Sequence, residues 1–283
     1  MLQSVESLLG TYSIESGLIY FDSLLRSSLL YAAETYYNLI ESDFRLIESK
    51  EEECLKKLIQ TGSKCPGAML YLEFGVLPAR FKIKIMMLIF LHYILLENKQ
   101  SLISRFFQAQ LDNPIRGDWV INIKHILQNL DLEINFDRIR EMKKSIFLKQ
   151  AKKSIKYEAL KYLVNKIKSK GKEIDYRNEL KCQRYLQPNR ILTHDKQILI
   201  FAYRSRMNNL KYNFGSEVEI CVCGTRLVNE HLYICEKLSD GKLSNVPYNE
   251  IFNGSIKQQK HIVQILVRNM KKYQELTLAQ EIP

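Results

Sequence analysis

At 283 residues, 46% apolar and 26% charged, the chain can bury one large core or two modest ones and is excluded from the disordered class. Six prolines and eleven glycines are too few for a turn-dense sandwich or barrel, so the expected class is all-α, with at most a short strand or hairpin. The 42 Lys and Arg exceed the 31 Asp and Glu by 11, and the placement of that excess matters more than its size.

Apolar residues at helical spacing (Leu18, Phe21, Leu25, Leu29, Ala32, Tyr36) predict a helix over 16–40, and a second is expected over 43–60. Turn clusters follow at 62–67 and at Phe74-Gly-Val-Leu-Pro78. The most apolar stretch, 85–96, lies in a helix expected over 80–97. It contains His92 and falls short of the roughly 20 residues a membrane span needs, so it reads as a core helix and no membrane partner is expected. Another helix is expected over 101–111. Asp118 is placed to cap one that starts at Trp119, the single tryptophan, which either anchors that helix to the core or stacks on a base.

Near Asn135 a charge-balanced segment gives way to a lysine-dense one. From Arg138 to Lys172 there are thirteen Lys or Arg against Glu141 and Glu158, leaving 29 basic and 29 acidic residues for the remainder. At 100° per residue, Phe147, Leu148, Ala151, Ile155, Ala159, Tyr162 and Leu163 share one face of a long helix. Lys143, Lys149, Lys153, Lys156, Lys161 and Lys168 fall on the opposite arc. Such a face is either merely solvated or a contact for phosphates. Lysine point charges lack the forked geometry that reads bases, so any nucleic-acid binding is expected to be largely non-sequence-specific.

A helix is expected over 196–209. The aromatic and arginine cluster Phe201-Ala-Tyr203-Arg204-Ser-Arg206 within it either stacks on unpaired bases or packs the helix against the cysteine cluster that follows. A short strand at 218–222 leads into Cys221-Val-Cys223-Gly-Thr-Arg-Leu-Val-Asn-Glu-His231-Leu-Tyr-Ile-Cys235, and a last helix is expected over 255–275. The Cys-x-Cys-x7-His-x3-Cys spacing suits one Zn2+. Two thiolates at a turn supply one edge of a tetrahedron, and a His and Cys four apart on a helix supply the other. Gly224 permits the sharp turn after the second thiolate. With Cys221, Cys223, His231 and Cys235 filling all four positions, the site is expected to be closed and structural. Cys54, Cys65 and Cys182 are scattered, no secretory leader precedes them, and an intracellular chain without a disulfide framework is expected.

Ser28-Leu-Leu-Tyr31-Ala-Ala-Glu34-Thr, Leu70-Tyr-Leu-Glu73-Phe-Gly75-Val-Leu-Pro78 and Gly117-Asp-Trp119 resemble the post-palm region of non-LTR retrotransposon reverse transcriptases. Tyr185-Leu, the Tyr-Arg-Ser-Arg-Met run at 203–207, Asn213-Phe214 and the Cys-Cys-His-Cys cluster preceded by Asn229-Glu230 resemble the C-terminal segment of the same family. The chain departs from it at Cys221-x-Cys223, where two intervening residues are usual.

The resemblance implies a helical thumb or connector over 1–134, a basic helical linker over 135–190 and a helical C-terminal region with a zinc knuckle over 191–283. The implied partners are template RNA and target DNA, and a separate palm in trans is a further one. It also implies a nuclear location if the chain is expressed, and otherwise a cytoplasmic one. No two aspartates are adjacent, so the Tyr-x-Asp-Asp palm signature is missing and no catalytic residue is expected. The parent element would be an RNA-directed DNA polymerase. The alternatives are a helical zinc-knuckle module that binds a protein, and a truncated or domesticated transposon product.

Overall fold

The computed structural model describes residues 13–36, 38–62, 64–169, 180–187, 192–204, 220–221, 223–239 and 255–280. Over these the chain is helical, and its β structure is a single antiparallel bridge between Ile220 and Arg226. Two compact units form. The first is built on Leu18–Leu55 and Pro66–Cys182, the second on Gly10–Gly17, Lys56–Cys65 and Gln183–Pro283. Packing therefore divides the chain at 182/183, whereas charge changes near Asn135. Asn135 itself caps a helix inside the first unit, its Oδ1 accepting from Asp137 N at 2.9 Å.

The continuous helix expected over 16–40 is shorter and interrupted. α1 (Ile14–Tyr20) runs into a π-helical turn, Phe21–Arg26, and ends with Ser27–Leu29. Ala32 then takes a left-handed conformation (φ 54°) before a 3-10 turn at Ala33–Thr35. Tertiary pairing overrides the helical period here. The Glu34 carbonyl accepts from Trp119 Nε1 at 2.7 Å, and the π turn presents Arg26 to Glu51, with Nε and Oε1 2.8 Å apart.

α2 (Glu41–Leu58), α3 (Gly67–Phe74), α4 (Ala79–Leu96), α5 (Leu102–Asp112), α6 (Trp119–Asn129), α7 (Phe136–Glu141) and α8 (Lys144–Lys168) follow. α4 is the centre of the first unit, in contact with α5, α6, α7 and α8, which explains why it is apolar nearly all round. No described helix is long and apolar enough to cross a membrane. Trp119 is buried among Phe90 (5.7 Å between ring centroids) and Phe107 (6.3 Å), so its role is in the core. Asp118 occupies the N-cap position of α6, and its carboxylate turns back to accept from Ile115 N at 2.8 Å.

Buried charge ties α2 to the turn between α3 and α4. Glu51, fully buried, accepts from Arg26 Nε, from the Tyr71 hydroxyl at 2.8 Å and from Ala79 N at 3.0 Å. Burial pushes its carboxyl up, while Arg26, Tyr71 and the Ala79 amide pull it back. Arg26 also donates to the Leu77 carbonyl. In the same turn Gly75 has φ +66°, and a Cβ there would lie 2.0 Å from Cys182 N. Backbone meets backbone at that point, so no side chain can give way. Gly75→Ala is expected to cost about 2 kcal/mol or more, from the left-handed strain plus the forced shift. A lowered urea midpoint followed by Trp119 fluorescence checks this, and an unchanged midpoint contradicts it.

In the second unit, α9 (His194–Arg204), α10 (Asn229–Ile234), α11 (Glu236–Ser239) and the 3-10 turn Arg184–Leu186 each have contacts with α12 (Ile256–Gln280), or with α9 where they reach it. Tyr185, Ile200, Phe201, Leu232, Tyr233, Leu238, Ile262 and Leu266 are buried there. α12 also ties down a helix end, the Asn269 side-chain amide donating to the Leu232 carbonyl at 2.9 Å.

Candidate metal centre and basic groove

Between Cys221 and Thr225 the chain makes a tight turn. Cys221 N donates to the Thr225 carbonyl and Gly224 N to the Cys221 carbonyl, each at 2.8 Å, and Gly224 takes φ +88°. A left-handed residue at this position turns the chain sharply after Cys223 and brings Thr225 back to pair with Cys221. The second pair is set by α10. His231 lies within that helix, whereas Cys235 stands just past its end in an extended conformation (φ −69°, ψ 116°). The helix stops at Ile234, one residue short of the expected pair, but the Cys235 amide still bonds back to the His231 carbonyl at 2.9 Å and its φ stays helical, so both side chains project from the same last turn.

The four ligand atoms, one each from Cys221, Cys223, His231 and Cys235, all lie within 4.8 Å of one another. Cys221 Sγ and Cys235 Sγ are 3.7 Å apart, and Cys223 Sγ is 3.2 Å from His231 Nε2. Tetrahedral bonds of about 2.3 Å to sulfur and 2.0 Å to nitrogen place two sulfurs about 3.8 Å apart and sulfur about 3.5 Å from nitrogen. The donor set thus fits a metal ion, and 3.7 Å is far too long for a disulfide of about 2.05 Å.

Burial is uneven. Cys221 and Cys235 are each 3% exposed, while Cys223 and His231 are partly open, so one edge of the group is sealed and the other faces solvent. The thiols differ accordingly. Burial pushes Cys221 up to about 12, with the neighbouring sulfurs adding to it, whereas the Thr225 hydroxyl, hydrogen-bonded to Cys223, holds that thiol down to about 6.

Of the six lysines expected to form a phosphate face, Lys143, Lys149, Lys153, Lys156, Lys161 and Lys168 are all exposed. The structure sorts them further. α8 packs on α3 and α4. Its buried residues rotate around the helix, from Phe147, Ala151 and Ile155 to Ala159, Leu160, Leu163 and Ile167. Lys149, Lys153 and Lys156 consequently border one groove, of about 690 Å3, in which Leu148, Tyr157 and Leu180 also take part. Lys143, Lys161 and Lys168 lie away from it. Sequence reasoning missed Lys152, Lys181 and Tyr157. Lys152 sits three residues after Lys149 and four before Lys156, a spacing that marks it for the same stripe. Lys166 is turned instead toward Glu48 (3.9 Å) and the Tyr162 ring.

Arg204 is the last residue of α9, and its side chain, like the whole of Arg206, Asn213 and Phe214, lies outside the described residues. Phe201 is buried, so its ring is not free to stack on a base. Searches against known proteins found no matching family model, curated protein or solved structure.

Proposed function

We propose that this chain is a nucleic-acid-binding, zinc-containing region of the kind that follows the palm in non-LTR retrotransposon reverse transcriptases. In this reading Cys221, Cys223, His231 and Cys235 hold one structural Zn2+. Three thiolates and one imidazole are a donor set that favours zinc over the oxygen-seeking magnesium and calcium, and four protein ligands leave no open position for substrate.

The observation that carries the nucleic-acid part is the local charge. An excess of eleven positive charges falls within 35 residues, and Lys149, Lys152, Lys153 and Lys156 stand exposed on successive turns of α8. Among the described residues none of these four is in an ion pair. Four like charges so close repel one another, and a polyanion relieves that repulsion while releasing its own counterions. No catalytic residue is proposed, and a separate palm in trans is the partner this reading leaves room for.

The test is a salt titration of binding to RNA and DNA. Affinity is expected to fall steeply with salt, and replacing Lys149, Lys153 and Lys156 together by Gln should flatten the log-log slope by about 2 for single strands and nearly 3 for duplex. A flat slope in the unmodified protein, or a slope indifferent to the triple replacement, overturns the reading. A protein partner held equally well by the triple variant would favour the interaction-module alternative.

A further inference from the structure

The groove on α8 is lined by more than charge. Leu148 and Tyr157 also line it, on either side of the arc that carries Lys149, Lys152, Lys153 and Lys156, and the buried Leu180 closes it from beyond the helix. Tyr157 is 70% exposed, and the Tyr157 ring is in no ring or cation contact among the described residues. From Lys149 to Lys156 the helix rises about 10 Å, so the ammonium groups follow a path of roughly two turns past an aromatic face and an aliphatic floor.

A purely electrostatic platform for duplex DNA or RNA has no use for that floor, because a duplex backbone offers it only phosphates and sugars. A membrane surface fits poorly as well. It calls for a broad apolar helix face that projects outward beneath flanking charges, and of the apolar side chains lining this groove Tyr157 alone is exposed. An unpaired strand presents both components at once, phosphates on one edge and flat apolar bases on the other, and platforms that combine basic and aromatic side chains serve such strands.

We propose that this groove is a binding site for single-stranded nucleic acid, in which Lys149, Lys152, Lys153 and Lys156 hold phosphates and a base stacks on Tyr157. The inference rests on the nucleic-acid reading of α8 and narrows it to the unpaired strand. Tyr157 acts through its ring, so the hydroxyl is dispensable, and sequence preference is weak because every base has a π-face.

The experiment uses the full chain with a labelled 12-mer of oligo(dU), the hybridised duplex of equal length, and vesicles containing phosphatidylserine. Tyr157→Ala is expected to weaken the single strand by roughly 5- to 100-fold. It should leave duplex binding within about two-fold and leave the salt slope unchanged, because no phosphate contact is lost. Tyr157→Phe should bind like the original.

An alanine variant that binds the single strand normally, while salt-dependent binding persists, overturns this inference and leaves the charge-based reading standing. Equal losses for single strand and duplex also overturn it. Absence of any salt-dependent binding in the unmodified protein removes both. Tyr157-dependent capture of vesicles without single-strand binding assigns the groove to lipid headgroups instead.

Discussion

Purified protein is expected to carry one equivalent of tightly held zinc and to lose it on Cys235→Ser. Structural zinc sites of this kind contribute on the order of 10 kcal/mol or more in isolated peptides near neutral pH, because the free thiolates and imidazole are otherwise unorganised. In this chain Cys235 lies on the sealed edge, 3% exposed, directly after α10 and directly before α11. A hydroxyl there is a poor zinc ligand, and the vacated place is buried where water cannot readily complete the tetrahedron. His231→Asn should be milder, since His231 is on the open edge.

The measurements are metal content by elemental analysis and the accessibility of the thiols to an alkylating reagent. With metal bound, Cys221, Cys223 and Cys235 should resist modification, and a strong chelator should expose all three. The core contributed by Leu232, Tyr233, Leu238 and Leu266 should keep some helix after chelation, so the loss of ellipticity is expected to be partial. Metal-free preparations with freely reactive thiols and an unchanged thermal transition would sink the zinc assignment.

Glu51→Ala is the other large effect, expected to cost about 3–5 kcal/mol in the first unit because it takes from a buried guanidinium its buried carboxylate partner and leaves only the exposed Asp22 to pair with it. Arg26 is only 5% exposed, and its other partners are the Leu77 carbonyl, Asp22 at 3.2 Å and the Phe21 ring, 4.8 Å from the guanidinium carbon. The same change leaves the Tyr71 hydroxyl and the Ala79 amide without the acceptor that now serves them. Pairing the change with Arg26→Met should therefore recover only part of the loss, since each unsatisfied buried donor costs about 1–3 kcal/mol. Urea unfolding followed through Trp119, which lies in the same unit, is the readout. Equal stability of Glu51→Ala and the unmodified chain would show that the network adds nothing.

Local interactions were legible in the sequence because they act within a few turns. Apolar spacing and the scarcity of Gly and Pro announced the helices now seen as α2, α4, α5, α6, α8 and α12, and the cysteine and histidine spacing within fifteen residues announced the metal-competent group. What stayed hidden depends on pairs far apart in the chain. The π turn at Phe21–Arg26 exists in register with Glu51, 25 residues on, and the break after Leu29 with Trp119, 85 residues beyond Glu34.

Composition, period and spacing alone determined that this chain is all-α, that its charge is concentrated on one segment and that four donors converge near its C-terminal end. Tertiary packing alone decided which lysines share a groove, that Leu180 closes it and that the helix carrying His231 stops just before Cys235. The physical reason is that a helical wheel holds only α8 itself, whereas the groove beside Lys149, Lys153 and Lys156 is completed by Leu180 and Lys181 from beyond the helix, and the arc of α8 left open depends on its packing against α3 and α4.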